Sequence, residues 1–138
     1  MVTTVLSNKI LCIQDMKNAQ PIELSFQQKY GRIIDYAWFG NGNIIIGFGE
    51  GWVCTIDVHM PQVGNELSSA KIFNTTLDAL CVCEMLGKVA VAGDGQVKIF
   101  TLNPWKESRS DKVELPYNAG RVIKIHWMYD GQILTVAT

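Results

Sequence analysis

Residues 33–58 read IIDYAWFGNGNIIIGFGEGWVCTIDV, and the pattern of this stretch decides the fold. Its first part alternates side-chain type from Ile34 to Phe39, the period-2 pattern of a pleated strand with two different faces. An apolar, mostly β-branched run follows and is too short for a helix, so it predicts a buried strand. The predicted segments are a strand at 34–39, a turn at 40–43, a strand at 44–48, a turn at 50–51 and a strand at 52–57. The stretch therefore predicts three consecutive antiparallel strands.

The same unit recurs twice downstream. The turn glycines Gly42, Gly87 and Gly131 are separated by 45 and 44 residues. This register also aligns Trp38 with Cys83 and Trp127, Ile44 with Val89 and Ile133, Ile34 with Ala79 and Ile123, and Ile10 with Val53 and Val97. A period near 44 residues, built from strands and turns, is typical of the four-stranded blade of a WD-repeat β-propeller. We therefore predict an all-β, WD40-type propeller segment of about three antiparallel blades.

The repeat divides the chain into a blade remnant, two full blades and the start of another blade. The predicted bounds are 1–26 for the remnant, 33–73 and 77–115 for the full blades, and 121–138 for the blade start. Outer strands are expected at 21–26, 70–73 and 113–115. Solvated loops are expected at 59–67 and 103–112.

The number of blades predicts that the ring is incomplete in this chain. Propellers typically close with four to eight blades, because closure leaves only short, protected sheet edges. An arc of about three blades would expose the apolar flank of a sheet at each end. We therefore expect a piece of a larger propeller, or a chain that needs another chain to complete the ring.

Composition and charge argue against several classes of function. The 138 residues carry a formal net charge of −1, which gives no electrostatic basis for binding nucleic acid or an anionic membrane. No apolar run approaches the roughly 20 residues that span a bilayer, so no direct membrane insertion is expected. The N-terminal residues, MVTTVLSNK, lack the basic region and apolar run of a secretory signal. We expect a cytosolic setting.

The cysteines do not form a metal-binding pattern. Cys81 and Cys83 lie two apart on a predicted strand and so share a face, but a zinc site would add a second pair of ligands. Cys12 and Cys54 occupy equivalent third-strand positions of adjacent repeats. All four are therefore expected to fill space as small apolar residues.

Two other features resemble parts of active sites. His59 lies in a loop and His126 on a predicted inner strand, where a packed or hydrogen-bonded histidine is the simpler interpretation. The stretch GFGEG at 47–51 resembles a phosphate-binding loop, but it joins two strands. A phosphate cradle needs a helix N-terminus or a Lys-Ser/Thr pair after the glycines. We expect no catalytic residue, no metal and no cofactor.

Large aromatic residues are the candidates for contact with a partner protein. Trp38 and Trp127 share one repeat position, so they are expected to be packing residues of the inner strands. Trp52 and Trp105 do not repeat, and exposed tryptophans are frequent anchors of protein interfaces. The alternative for each is a ring that lies on its own blade. Arg109, in the most polar stretch of the chain, is the third candidate.

Several short motifs point to one family. They are FQQKYG at 26–31, WFG at 38–40, IGF at 46–48, GNEL at 64–67, GDGQVKI at 93–99 and DGQIL at 130–134. Together they resemble the first propeller of the WD-repeat protein 19 family, the WD-repeat core subunits of intraflagellar transport complex A. The resemblance covers nearly the whole chain and is densest between residues 26 and 51.

This resemblance implies a role in cilia. Such proteins carry two N-terminal propellers and a long α-solenoid, and they assemble complex A, which supports retrograde transport along the axoneme and the entry of membrane proteins into cilia. The implied partners are the other complex A subunits and the remainder of the same propeller. The implied location is the cilium or flagellum, the basal body and the cytoplasm.

The blades depart from the usual WD-repeat pattern, as those of the family do. The usual Trp-Asp dipeptide reads Ile56-Asp57, Phe100-Thr101 and Ile13-Gln14, and no Gly-His pair precedes the inner strands. The Asp-His-Ser-Trp hydrogen-bond network of the repeat is therefore not expected here. Sheet packing is expected to hold the blades together instead.

We predict a non-enzymatic scaffold whose rigid blades present loops to partner proteins. Two alternatives stay open on sequence grounds. One is another WD-repeat adaptor, such as a vesicle-coat subunit or a ubiquitin-ligase substrate receptor. The other is a propeller enzyme with its active site in the central funnel. A hydrolytic site would need acids or histidines where the inner strands begin, and there the chain offers mainly Arg32, Asp78 and Arg121.

Overall fold

The computed structural model describes residues 2–6, 8–14, 17, 20–59, 63–128 and 131–138, and of residues 2, 4, 6 and 109–111 it describes the backbone alone. The described part is all-β, with thirteen strands in four antiparallel sheets and one 3-10 turn at Gln28–Tyr30. The predicted fold class is confirmed. Among the described residues, no helix is long and apolar enough to cross a membrane.

Each sheet is a meander in which strands pair in chain order. Sheet 1 contains β1 (Val2–Leu6), β2 (Ile10–Gln14) and β3 (Ile22–Ser25). Sheet 2 contains β4 (Ile33–Phe39), β5 (Asn43–Phe48), β6 (Trp52–Asp57) and β7 (Glu66–Lys71). Sheet 3 contains β8 (Leu77–Cys83), β9 (Lys88–Gly93), β10 (Gln96–Leu102) and β11 (Trp105–Glu114), and sheet 4 contains β12 (Lys124–Trp127) and β13 (Leu134–Ala137). Strand β8 contacts both β4 and β12, as the inner strands of neighbouring propeller blades do.

Three apolar seams hold the four sheets together, one between each pair of neighbours. Because side chains alternate along a strand, β5 contributes to two of them. Ile44 and Ile46 point toward sheet 1, and Ile45 points toward sheet 3. All three side chains are completely buried. A fully buried isoleucine stabilises the fold by about 2 kcal/mol, so the seams are the main source of stability between blades.

Gly47 allows sheets 2 and 3 to approach closely. A Cβ atom at this position would lie 2.7 Å from Cδ2 of Leu77 and 2.9 Å from Cδ2 of Leu80. Both leucines are buried in the seam, where a packed interior leaves little room to move. The seam therefore depends on the absence of a side chain at this position.

Two tryptophans connect inner strands to the preceding sheet. The indole Nε1 of Trp38 donates a hydrogen bond to Oγ1 of Thr3 at 3.0 Å. The indole Nε1 of Trp127 donates to the backbone carbonyl of Cys81, also at 3.0 Å. The packing role predicted from their shared repeat position is confirmed, and each ring also satisfies its polar atom across the seam.

Asp35 connects sheets 2 and 3 by a third polar contact. Its carboxylate accepts a hydrogen bond from the backbone N–H of Leu80 at 3.3 Å, and another from the N–H of Tyr36 at 2.9 Å. Burial raises the pKa of Asp35, and these two N–H groups oppose the rise only in part.

The predicted repeat register is one residue off at several strand positions. The turn between the first two strands has three residues, 40–42, in sheet 2, but four residues, 84–87, in sheet 3. The predicted partners Cys83, Ala79, Ile133 and Ile10 are therefore wrong. Cross-strand pairing and the seams instead align Trp38 with Val82, Ile34 with Asp78, Val89 with Leu134, and Val53 with Leu11.

Two outer strands are longer than predicted, while the first, β3, is two residues shorter than the predicted 21–26. Strand β7 begins at Glu66, four residues before the predicted start, so the predicted loop at 59–67 is wrong at its end. The predicted loop at 103–112 is also wrong, because β11 begins at Trp105 directly after a two-residue turn and pairs with β10. Its polar composition misled the prediction, since an edge strand exposed to solvent is often rich in charged residues.

The four sheets form an arc that does not close into a ring. In sheet 4, Ile125 and Leu134 face the seam with sheet 3. Because side chains alternate, Ile133, next to Leu134, lies on the opposite side and is 58% exposed. Ile123, directly before β12, is 74% exposed. The corresponding side of sheet 3 is covered by sheet 4. The uncovered side of sheet 4 therefore resembles a surface on which another blade would pack.

We expect the 138-residue chain alone to self-associate through the uncovered side of sheet 4. Static light scattering should report an apparent mass above that of the monomer. The double variant Ile123→Thr, Ile133→Thr should lower this mass, because it removes exposed apolar surface and keeps a good strand former at both positions. The control Met85→Thr removes a side chain of equal exposure, 74%, from a turn and should leave the mass unchanged. A monodisperse monomer with cooperative thermal unfolding would contradict the open arc.

Candidate protein-interaction surfaces

The loops of the arc lie on two faces. Because strands within each sheet are antiparallel, the segments before the inner strands share a face with the turns between second and third strands. We call this the upper face, and it contains Arg32, residues 49–51, residues 74–76, residues 94–95 and Arg121. The lower face carries the turns at 40–42 and 84–87 and the connections into the outer strands, including 103–104.

On the upper face, Asp94 fastens the segment before the inner strand of sheet 3 to the β9–β10 turn. Its carboxylate accepts hydrogen bonds from the backbone N–H groups of Asn74 at 2.9 Å, Thr75 at 3.3 Å and Thr76 at 3.2 Å, and from the hydroxyl of Thr75. Burial would raise the pKa of Asp94, but these hydrogen bonds outweigh it and hold the pKa below its usual value. Asp94 therefore fixes the position of the segment that leads into β8.

The upper face also contains a cavity of about 360 Å³ lined by two arginines, Arg32 and Arg121, together with Glu50 and Thr76. The Nε of Arg121 donates to Oδ1 of Asp78 at 2.8 Å, and the side chain of Asp78 is only 6% exposed. The structure thus brings together the three residues that the sequence offered for a funnel active site. Two of them are already joined in an ion pair.

The lower face carries a groove between sheets 2 and 3. It consists of two adjoining cavities of about 410 and 350 Å³ whose shared lining residues are Phe39, Gly40, Leu102 and Asn103. Trp105 lines one of the cavities, and its ring stacks on Phe100 with the centroids 4.7 Å apart and the planes at 9°. Leu67 and Leu86, which are 55% and 44% exposed, line the two cavities. We call this feature the lower groove.

Sequence reasoning missed the two leucines of the lower groove. Leu67 fell in a predicted loop and Leu86 in a predicted turn, so neither had a strand pattern that could reveal which way it pointed. The signal that could have found them is the presence of large apolar residues in segments otherwise made of polar and small residues.

Trp52 is packed within its own blade. Its ring centroid lies 5.1 Å from that of Tyr30, and Nζ of Lys29 lies 4.6 Å from the Trp52 centroid. Tyr30 is completely buried and donates its hydroxyl to the carboxylate of Glu66 at 3.1 Å. Burial raises the pKa of Tyr30. Trp52 and Trp105 therefore each pack against an aromatic ring of their own blade, and Trp105 also lines the lower groove.

Three further residues named in the sequence analysis, Arg109, His126 and His59, have different outcomes. The side chain of Arg109 lies outside the described part of the structure, so its role as a partner contact stays a prediction. His126 is exposed on β12, because its side of sheet 4 is uncovered, so of the two expected alternatives, packed or hydrogen-bonded, the packed one is wrong. His59 is held by Asp57, whose Oδ1 accepts the backbone N–H at 2.8 Å and lies 2.6 Å from the ring Nδ1. The backbone N–H and then the ring of His59 lower the pKa of Asp57.

The four cysteines are free thiols, two of them buried and two partly buried. Burial raises the pKa of Cys54 to about 12, and Glu66 adds to the rise. The thiol of Cys54 therefore stays protonated and unreactive at neutral pH. Within the described ranges, no group of three or more His, Cys, Asp or Glu residues is placed to hold a metal ion.

Comparison with known proteins gives consistent matches. The family model described as WDR19 first beta-propeller matches residues 1–138. The chain is 31% identical over 138 residues to WD repeat-containing protein 19 of Mus musculus, and 33% identical over 139 residues to that of Homo sapiens. These alignments cover 99% and 100% of the chain and 10% of each relative. WD repeat-containing protein dyf-2 of Caenorhabditis elegans is 36% identical over 104 residues, which cover 75% of the chain and 8% of the relative.

Solved structures share the fold. Sqt1 from Chaetomium thermophilum matches with a TM-score of 0.65 and 20% identity, over 85% of this chain and 30% of that one. The β-propeller domain of Cps50 (Swd1) from Myceliophteria thermophila matches with a TM-score of 0.67 and 13% identity, over 92% of this chain and 45% of that one. The chain spans about a tenth of the length of the curated relatives that it matches.

We expect Asp94→Asn to destabilise the protein by about 1 kcal/mol, a value typical of capping side chains and discounted for solvent screening. Because the folded-state pKa of Asp94 is below the usual 3.8, its stabilisation is present at neutral pH and is lost as the pH falls through the folded pKa. Thermal unfolding at about pH 7 and about pH 3 should therefore show a difference from the unsubstituted protein that shrinks in acid.

The matched control for this substitution is Glu50→Gln. It removes the same charge from the corresponding turn of sheet 2 and should leave the unfolding temperature at neutral pH unchanged. Both variants should be measured in a soluble form in which further blades complete the ring. Equal losses for the two variants would assign the effect to net charge and not to the hydrogen bonds of Asp94.

Proposed function

The chain belongs to the family of the WDR19 first β-propeller, and from this premise we propose that it is part of a non-enzymatic WD-repeat scaffold subunit of intraflagellar transport complex A. In this proposal the subunit supports retrograde ciliary transport and ciliary import through protein–protein contacts. Its partners are the other complex A subunits, and its location is the cilium or flagellum, the basal body and the cytoplasm. Since the chain spans about a tenth of its curated relatives, the proposal concerns the contribution of this segment.

The lower groove is the observation that carries the scaffold role. It lies between two sheets whose second strands are buried on both sides, so the sheets that carry its walls are packed in place before a partner binds. Its lining combines Trp105 with exposed leucines, and interface energy concentrates in aromatic residues set in such pockets. We assign Trp105 as the main anchor for a partner, with Trp52 and Arg109 as secondary contacts.

The residues of the upper face support the part of the proposal that describes the protein as non-enzymatic. A hydrolytic site needs an acid or base free to exchange protons with a substrate. Asp78 is held by Arg121, and the described residues that line the cavity include neither histidine nor cysteine. The remaining carboxylate there, Glu50, stands beside two arginines.

The proposal includes the blade bounds of the sequence analysis. Residues 33–73 and 77–115 would be complete blades, and residues 1–26 and 121–138 would be parts of two others. The uncovered side of sheet 4 supports this division, since it exposes apolar side chains that a following blade would bury. The first partner of this chain is therefore the remainder of its own propeller.

Affinity purification of the tagged protein from ciliated cells, followed by mass spectrometry, tests the function. The protein should recover the other subunits of complex A. Leu67→Glu should lower their recovery roughly tenfold, because it places a charge in the lower groove without removing any buried side chain. Its control is Val113→Glu, which changes a residue of similar exposure, 46%, on the outer strand of sheet 3 and should not alter recovery.

Two results would overturn parts of the proposal. Recovery of vesicle-coat or ubiquitin-ligase subunits in place of complex A would favour an adaptor of another pathway. Equal recovery with Leu67→Glu and Val113→Glu would remove the lower groove from the contact surface. Thermal unfolding of both variants should be compared first, so that a folding defect is not mistaken for a binding defect.

A further inference from the structure

Three structurally equivalent positions converge on the upper-face cavity. Cross-strand pairing aligns the inner strands of sheets 2, 3 and 4 so that Arg32, Thr76 and Arg121 correspond. Each comes shortly before an inner strand, and all three line the same cavity of about 360 Å³. The repeat thus places two guanidinium groups and a hydroxyl around one opening.

The two arginines differ in whether they already form an ion pair within the chain. Arg121 donates its Nε to the nearly buried carboxylate of Asp78, while the rest of its side chain is 62% exposed. Arg32 runs past Gly49 and makes no ion pair with any residue in the described ranges. Because Arg121 already pairs with Asp78, the remaining charges at the cavity are those of Arg32 and of the single carboxylate of Glu50.

We propose that this cavity binds the carboxylate of an acidic peptide segment, with Arg32 as its main contact. A guanidinium group offers a planar fork of N–H donors that matches a carboxylate in two parallel hydrogen bonds. The outer nitrogens of Arg121 and the hydroxyl of Thr76 supply further donors, and Ile34 and Leu77 supply an apolar wall. Glu50 also lines the cavity, and its negative charge opposes the binding of a carboxylate.

This inference deepens the proposed scaffold function, since the acidic segment would belong to a partner protein. The proposed site for the acidic segment lies on the upper face, opposite the lower groove, and consists of different residues. An assay with a synthetic peptide contains no complex A subunit. Its failure would therefore leave the co-purification result intact, and failure of co-purification would leave the peptide result intact.

The test is fluorescence anisotropy with a labelled peptide of alternating glutamate and glycine, on the protein in a form with a complete ring. The peptide should bind, the matching lysine–glycine peptide should not, and added salt should weaken binding. Arg32→Gln should weaken binding at least about tenfold, because a charge-assisted hydrogen-bond pair is lost. Lys71→Gln removes an equal charge from the outer strand β7 and should have no effect.

Two further variants sharpen the test. Glu50→Gln should tighten binding about threefold, because it removes the opposing charge. Arg121→Lys keeps a cation beside Asp78 but loses the fork, so it should weaken binding while the unfolding temperature stays the same. Absence of peptide binding, or equal weakening by Arg32→Gln and Lys71→Gln, would overturn the proposal. Displacement by inorganic phosphate as readily as by unlabelled peptide would identify a phosphate site instead and would also overturn it.

Discussion

Burial of both sides of the second strands of sheets 2 and 3 is the constraint on which the structure depends. In sheet 2, Ile44 and Ile46 fill one seam and Ile45 fills the next, while in sheet 3 Val89 and Ala90 divide in the same way. A single blade would leave two apolar faces in water, so each blade is stable only with a neighbour on both sides. The same rule explains why isoleucines are exposed at the end of the arc. It also explains why the inner strands of neighbouring sheets pack in chain order.

Polar contacts contribute less energy than the seams but determine how the loops are held. A hydrogen bond between blades contributes about 1 kcal/mol, less than one fully buried isoleucine. Unlike an apolar contact, it has a direction, so the bonds of Trp38 and Trp127 orient one sheet against the next. Asp94 does the same for a loop, since it holds three successive N–H groups of the segment that leads into β8. The surface that partners meet is therefore ordered by groups outside the apolar core.

The sequence was sufficient for the elements that alternate and for the repeat, because period-2 patterns and turn glycines are local signals. It was insufficient where structure depends on a neighbour. One extra residue in the turn at 84–87 moved the inner-strand alignment by one, and only cross-strand pairing reveals this. The polar strand β11 is defined by its hydrogen bonds to β10, which no composition reports. The lower groove and the upper-face cavity combine residues from different sheets, so spacing along the chain could not predict which residues meet there.

The two faces differ in chemistry for a reason built into the meander. Loops before the inner strands converge toward the centre of the arc, so repeated charges such as Arg32 and Arg121 come close enough to act on one ligand. Connections into the outer strands diverge, so the lower face offers separate apolar side chains between blades, as at Leu67 and Trp105. The same buried seams support both faces. The lower groove and the upper-face cavity share no lining residue, so the two contacts proposed for them would use separate parts of the same surface.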